Sequence, residues 1–149
     1  MLVTNHVLAG ALLGYAVPNP VASFAVGVLS HLALDAVPHW GDLRPIRQLL
    51  HIAVPDGLVG ATAMVTIAAT TDRGRRTRVI TAMAGSALLD LDKPTQLFFG
   101  FSPFPRTVDD VHARVQREAP HRMPQEVLVG VVAAAAVAAL TWRARVADG

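Results

Sequence analysis

Five apolar stretches, separated by proline turns and short charged breaks, constrain this chain more than any other feature. They run from Leu2 to Val17, Val21 to Val37, Leu49 to Thr70, Val79 to about Leu91, and Pro124 to Trp142. Between them lie "PNP" at Pro18–Pro20, the polar "HWGDLRPIRQ", the charged "TDRGRRTR" at Thr71–Arg78, and a long polar segment from Gly100 to Arg122. Proline breaks helices and restricts the residue before it, so the first two stretches are separate elements. Apolar runs of this length, with only 16% charged residues in the chain against about 25% in ordinary soluble domains, predict an all-α fold. The expectation is one membrane-embedded domain over residues 1–149, a bundle of about five helices, with "VDDVHARVQRE" forming a short amphipathic helix in the last long loop. A bilayer crossing takes about 20 apolar residues. The first two stretches are at the short end and would thin the bilayer or lie obliquely. The fourth extends past Pro94 toward Phe99. Gly10 and Gly14 form a GxxxG match, a spacing that lets membrane helices approach closely.

The N-terminal stretch lacks a positively charged region, which favours a retained first helix over a cleaved signal. The chain has no cysteine, so any metal site must use His, Asp, Glu or backbone oxygen. Of 13 basic residues all but Lys93 are Arg. They fall in separate clusters rather than one stripe, which argues against nucleic acid as a partner.

If the helices alternate in direction, the polar residues segregate. His6 opens the first helix; His31, Asp35 and His39 close the second; His51 and Asp56 open the third; Asp90 and Asp92 close the fourth. His112 and His121 lie in the connection on the same side, and Gln125 and Glu126 open the fifth helix. The opposite side receives no histidine. Ionisable groups at membrane depth cost several kcal/mol each and by default mark a site. His31 and Asp35 share a helix face at i,i+4, and the bend at Pro38 would swing His39 inward. Two imidazoles and a carboxylate suit Zn2+ or Mn2+, with Mg2+ as a further option. The candidate metal ligands are His6, His31, Asp35, His39 and Asp56. Asp56, Asp90 and His112 are candidates for proton transfer, with Asp92 expected near the surface. Arg114, Arg117 and Arg122 are candidates to bind an anionic substrate group, with Arg44, Arg47 and Arg106 on the same side. No GxSxG, P-loop, HExxH or CxxC motif is present, and Ser30 and Ser86 have no triad around them.

Four of these segments together resemble a known family: "T-x-H" with "GALLG", then "SHLALDAVPHW", then "PDGLVG", then "GSALLDLDKP". The pattern is similar to small bacterial inner-membrane proteins described as metal-dependent hydrolases, including the LexA-binding membrane family. The resemblance covers residues 4–126. It implies a multi-pass location in a bacterial-type inner membrane and a His/Asp metal centre carried by His6, His31, Asp35, Asp56 and Asp90. One segment departs from the family: an "HRGxTHS" type of sequence is absent, and "DDVHARVQREAPHRMPQE" takes its place. His112 or His121 would then substitute.

The expected function is metal-dependent hydrolysis of a lipid-like or isoprenoid-like substrate that carries phosphate, by a protein compatible with homo-oligomers. The alternatives are a membrane terpene cyclase or prenyl transferase that uses carboxylates or Mg-diphosphate, and a small transporter. A transporter needs polar residues through the full membrane depth, and the far halves of these helices are apolar. The tight Arg clusters "RGRR" and "RAR" on the side without histidine suggest that this side is cytoplasmic.

Overall fold

The computed structural model describes residues 1–41 and 50–147; Arg44 and Arg47 lie outside these. Seven α-helices occur among the described residues: α1 (Val3–Ala16), α2 (Pro20–Asp35), α3 (Leu50–Thr70), α4 (Arg73–Ala87), α5 (Asp92–Phe99), α6 (Arg106–Val115) and α7 (Met123–Ala147). No strand is formed among them; the one sheet-like feature is an isolated parallel bridge between His39 and Glu118.

The five apolar stretches are α1, α2, α3, α4 and α7, and the amphipathic helix in the long connection is α6. Two boundaries differ from expectation. The charged "TDRGRRTR" is not a loop: Asp72 caps α4 by accepting from the Arg75 amide at 2.9 Å, so the helix begins at Arg73. An Asp at the N-cap satisfies one of the amides that a helix start leaves unpaired. At the other end α4 stops at Ala87; a 3-10 turn over Leu89–Leu91 redirects the chain into α5 as a separate helix. Gly100, at φ 79°, ends α5 in the left-handed conformation that glycine adopts without strain.

The central helix is α1, which touches α2, α3, α4 and α7, while α4 packs on both α1 and α2. The GxxxG pair explains the α1–α4 contact. A Cβ at Gly10 would stand 2.8 Å from the Met83 Cα, and one at Gly14 would stand 2.5 Å from the Val79 Cα. Only glycine allows backbones this close. Val7, Leu8, Ala11, Ile67, Val79, Met83 and Val137 form the apolar core at this crossing.

Two helices, Leu50–Thr70 and the 25 residues Pro120–Ala144, are long and apolar enough to cross a membrane. Only 11% of the residues in each apolar window are buried. Leu58, Val59, Val65, Leu128, Val131 and Val132 all project from the protein. A core helix of a water-soluble domain buries its apolar residues, so these two do not read as core helices. At 1.5 Å per residue α1 and α2 are about 21 and 24 Å long, less than the roughly 30 Å of a bilayer's hydrocarbon.

Candidate metal centre

The site is built where α2 ends. His31 and Asp35 lie on its inward face, both fully buried. Past Asp35 the chain turns through Ala36–Pro38 and runs alongside the segment that follows α6. The Arg117 amide donates to the Asp35 carbonyl at 3.0 Å, the His39 amide to the Arg117 carbonyl at 3.1 Å, and the Ala119 amide to the His39 carbonyl at 2.8 Å. This zipper holds His39 inward and brings α6, with His112, over the end of α2.

Four imidazoles from three helices and one turn therefore surround the Asp35 carboxylate. On Oδ2, the Nε2 atoms of His31 and His112 approach to 3.2 and 3.3 Å. On Oδ1, the Nε2 atoms of His6 and His39 lie at 3.2 and 3.9 Å, and the Met1 amine at 3.1 Å. His6 stacks on His31 with ring centroids 4.0 Å apart. All four imidazoles are essentially excluded from solvent.

The outer nitrogens show how the rings are set. His31 Nδ1 donates to the Ser86 carbonyl at 2.7 Å, and His39 Nδ1 to the Val37 carbonyl at 2.8 Å. His112 Nδ1 faces Asp92 Oδ2 at 3.4 Å. A neutral imidazole with its proton held on Nδ1 keeps a lone pair on Nε2, the arrangement found around metal-ligating histidines. Here those lone pairs face inward. His31 Nε2 and His112 Nε2 are 3.0 Å apart, where two lone pairs repel unless a cation or a proton sits between them. The Gln116 side-chain amide also lies 3.0 Å from His112 Nε2.

A metal fits this donor set. Ligand atoms at about 2.0–2.1 Å from a tetrahedral Zn2+ stand about 3.3 Å from one another. The three edges of the His31–Asp35–His112 triangle are 3.0, 3.2 and 3.3 Å. His6, His31 and Asp90 form a second group with metal-ligand spacing, all buried or nearly so. In His112, burial pulls the pKa down, but hydrogen bonds to Asp35 and Asp92 outweigh it and raise the pKa to about 9. In the metal-free protein its proton thus occupies the place a metal would take.

Several expected residues sit elsewhere. Asp56 does not join the imidazoles: its Oδ2 accepts from the Val3 amide at 2.7 Å and its Oδ1 from the Thr4 amide at 3.2 Å, so it caps α1. Those amides have no partner within the helix, and the capping carboxylate satisfies both. Arg114 and Arg117 are exposed, and Arg122 bonds Gln125; none of the three lines the cavity beside the site. His51 and His121 are exposed. Asp92 is not at the surface but is mostly buried against His112.

Two residues to which the sequence assigned no role also matter. Glu126, buried at the start of α7, accepts from the Leu2 amide at 3.1 Å, the Asn5 side chain at 2.8 Å and the Trp40 amide at 3.3 Å. Lys93 pairs with Asp90 Oδ1. The "LLDLDKP" spacing puts Lys93 one turn from Asp90, which could have signalled the pair.

A cavity of about 530 Å3 opens beside the cluster between α1, α3 and α5. Most of its wall is apolar, from Val7, Ile52, Met64, Leu97 and Phe98 among others; Asp56, Asp90, Lys93 and Glu118 are its charged side chains. Asp90 belongs to both the cavity wall and the His6–His31 group.

Comparison of the chain with protein-family models, with curated proteins and with solved structures returns no match.

Proposed function

We propose that this chain is a multi-pass membrane protein of a bacterial-type inner membrane and a metal-dependent hydrolase of a lipid-like, phosphate-containing substrate. One observation carries the reading: histidines with their outer nitrogens anchored turn their inner nitrogens onto one buried carboxylate. A merely structural cluster has no need to anchor three outer nitrogens this way.

His31, His112 and Asp35 would hold the metal, with Zn2+ or Mn2+ suited to the N/O set. Bound there, the metal supplies Lewis acidity and lowers the pKa of a coordinated water. Asp35 offers negative charge from the centre of the cluster. The Ser86 carbonyl and Asp92 keep His31 and His112 in the ligating tautomer. Asp90, shared between cluster and cavity, would take the proton of the attacking water and return it to the leaving oxygen. In that reaction the water oxygen bonds to phosphorus, the bond from phosphorus to the leaving oxygen breaks, and an alcohol and a phosphate result. The apolar walls of the 530 Å3 cavity suit an acyl or prenyl tail. Lys93 takes the anion-binding role first expected of Arg114, Arg117 and Arg122.

The test is phosphate release by the purified full chain from a panel of phospholipid and prenyl phosphates, with elemental analysis of the same preparation. Chelator-sensitive release, lost together with the metal in His31→Ala and Asp35→Asn, is the expected result. Wild-type protein without metal, or turnover indifferent to chelation, refutes the proposal.

A further inference from the structure

Among the described residues, six buried side-chain nitrogen or oxygen atoms make no hydrogen bond. Three of them are His6 Nε2, His39 Nε2 and Asp90 Oδ2. The two nitrogens lie 3.2 and 3.9 Å from Asp35 Oδ1, and Asp90 Oδ2 is 3.9 Å from His6 Nε2. None of these side chains belongs to the His31–Asp35–His112 triangle, which uses the other oxygen of the same carboxylate. Asp35 thus presents one oxygen to each of two imidazole pairs.

The geometry points to a binuclear centre in which Asp35 bridges two divalent cations, the second held by His6, His39 and Asp35 Oδ1. This inference rests on the metal reading above and extends it. Leaving a buried donor or acceptor unpaired costs about 1–3 kcal/mol, so two unpaired imidazole nitrogens beside one carboxylate oxygen call for a ligand. One proton between His31 and His112 relieves the first pair, while a cation shared by His6 and His39 would pair both nitrogens across the carboxylate at once. Two positive groups already lie at the edge of this second place: the Met1 amine on Asp35 Oδ1, and Lys93 on Asp90 Oδ1. Lys93 occupies one Asp90 oxygen and leaves Oδ2 turned toward His6.

Each cation would have three protein ligands, the open arrangement of catalytic rather than structural metal sites. Two metals about 3.5–4 Å apart act as a clamp on the attacking and leaving oxygens of a displacement at phosphorus. A phosphate ester, the substrate class proposed above, suits such a clamp. Asp90, beside the second cation but not needed to hold it, stays free for the proton. His31 is common to the two groups with metal-ligand spacing, His31–Asp35–His112 and His6–His31–Asp90.

Titration of the purified, metal-stripped full chain with Mn2+, read by low-temperature electron paramagnetic resonance and by equilibrium dialysis, tests this. Wild type is expected to take up two Mn2+ per chain and to show an exchange-coupled multiline spectrum. His39→Gln is expected to keep one Mn2+ with an uncoupled six-line spectrum. A wild type that saturates at one Mn2+, or binds two without coupling, overturns the bridged pair while leaving a single-metal hydrolase standing. Retention of two coupled ions in His39→Gln overturns the ligand assignment. A wild type that binds no Mn2+ removes both this inference and the metal reading. The wild-type spectrum alone decides the count, so a variant that does not fold leaves the test intact.

Discussion

Raising the pH from 6 to 10 should tighten metal binding steeply and then stop. In the metal-free protein the His112 pKa is about 9, because Asp35 and Asp92 favour its charged form more than burial opposes it. A metal taking His112 Nε2 must first displace that proton. Below the pKa each pH unit costs tenfold in affinity, or 1.36 kcal/mol. At pH 7, two units below about 9, the cost is about 100-fold, or about 3 kcal/mol. Apparent Zn2+ affinity should therefore rise about tenfold per unit from pH 7 to pH 9 and level off above. Isothermal titration calorimetry in buffers of different ionisation heat should count about one proton released per bound Zn2+ near pH 7.5 from this residue. The metal-free fold should respond in the opposite sense. The His112 pKa is raised by folding, so its stabilising contribution is complete below about 6.5 and is lost as pH rises through about 9. Asp92→Asn removes one of the two groups that raise this pKa and should shift the affinity rise to lower pH. Zn2+ affinity that is flat between pH 6.5 and 9, with no proton release, would refute the assignment of His112 as a ligand.

Two structural predictions accompany it. Gly10→Val places side-chain atoms against the α4 backbone at Ala82 and Met83 and should destabilise the bundle by about 1–3 kcal/mol; Gly57→Ala, with nothing within 4 Å, should be neutral or slightly stabilising. Thermal unfolding in detergent compares them, and equal losses for both would contradict the close α1–α4 crossing. Glu126→Ala strips the acceptor from the Leu2 and Trp40 amides and the Asn5 side chain. At about 1–3 kcal/mol for each buried group left unsatisfied, its melting temperature should drop by many degrees. Glu126→Gln should lose less and keep the wild-type metal content, and loss of metal in Glu126→Gln would mean that Glu126 is part of the centre itself.

The sequence by itself determined the helical class and the list of side chains from which a metal centre could be drawn. Apolar run length and proline placement set α1, α2, α3 and α7, because hydrophobic continuity and helix breaking are local properties. The pairing of His31 with Asp35 was legible for the same reason: i,i+4 spacing on a helix fixes a shared face. The concentration of His6, His39 and His112 near them was expected from an assumed alternation of helix direction. The tertiary structure alone decided which carboxylates serve the site. Asp56 and Asp90 look alike in sequence, each an acid at the end of an apolar stretch. Asp56 falls opposite the unpaired amides of α1 and is used up there, whereas Asp90 lies in the 3-10 turn after α4 and faces His6. Likewise Asp92 gained its place by the docking of α6, through backbone bonds between residues about 80 positions apart that no local pattern encodes. Side-chain chemistry and periodicity act over one or two helical turns, while the partner of a buried charge is chosen by whichever distant group packing brings within 3–4 Å of it.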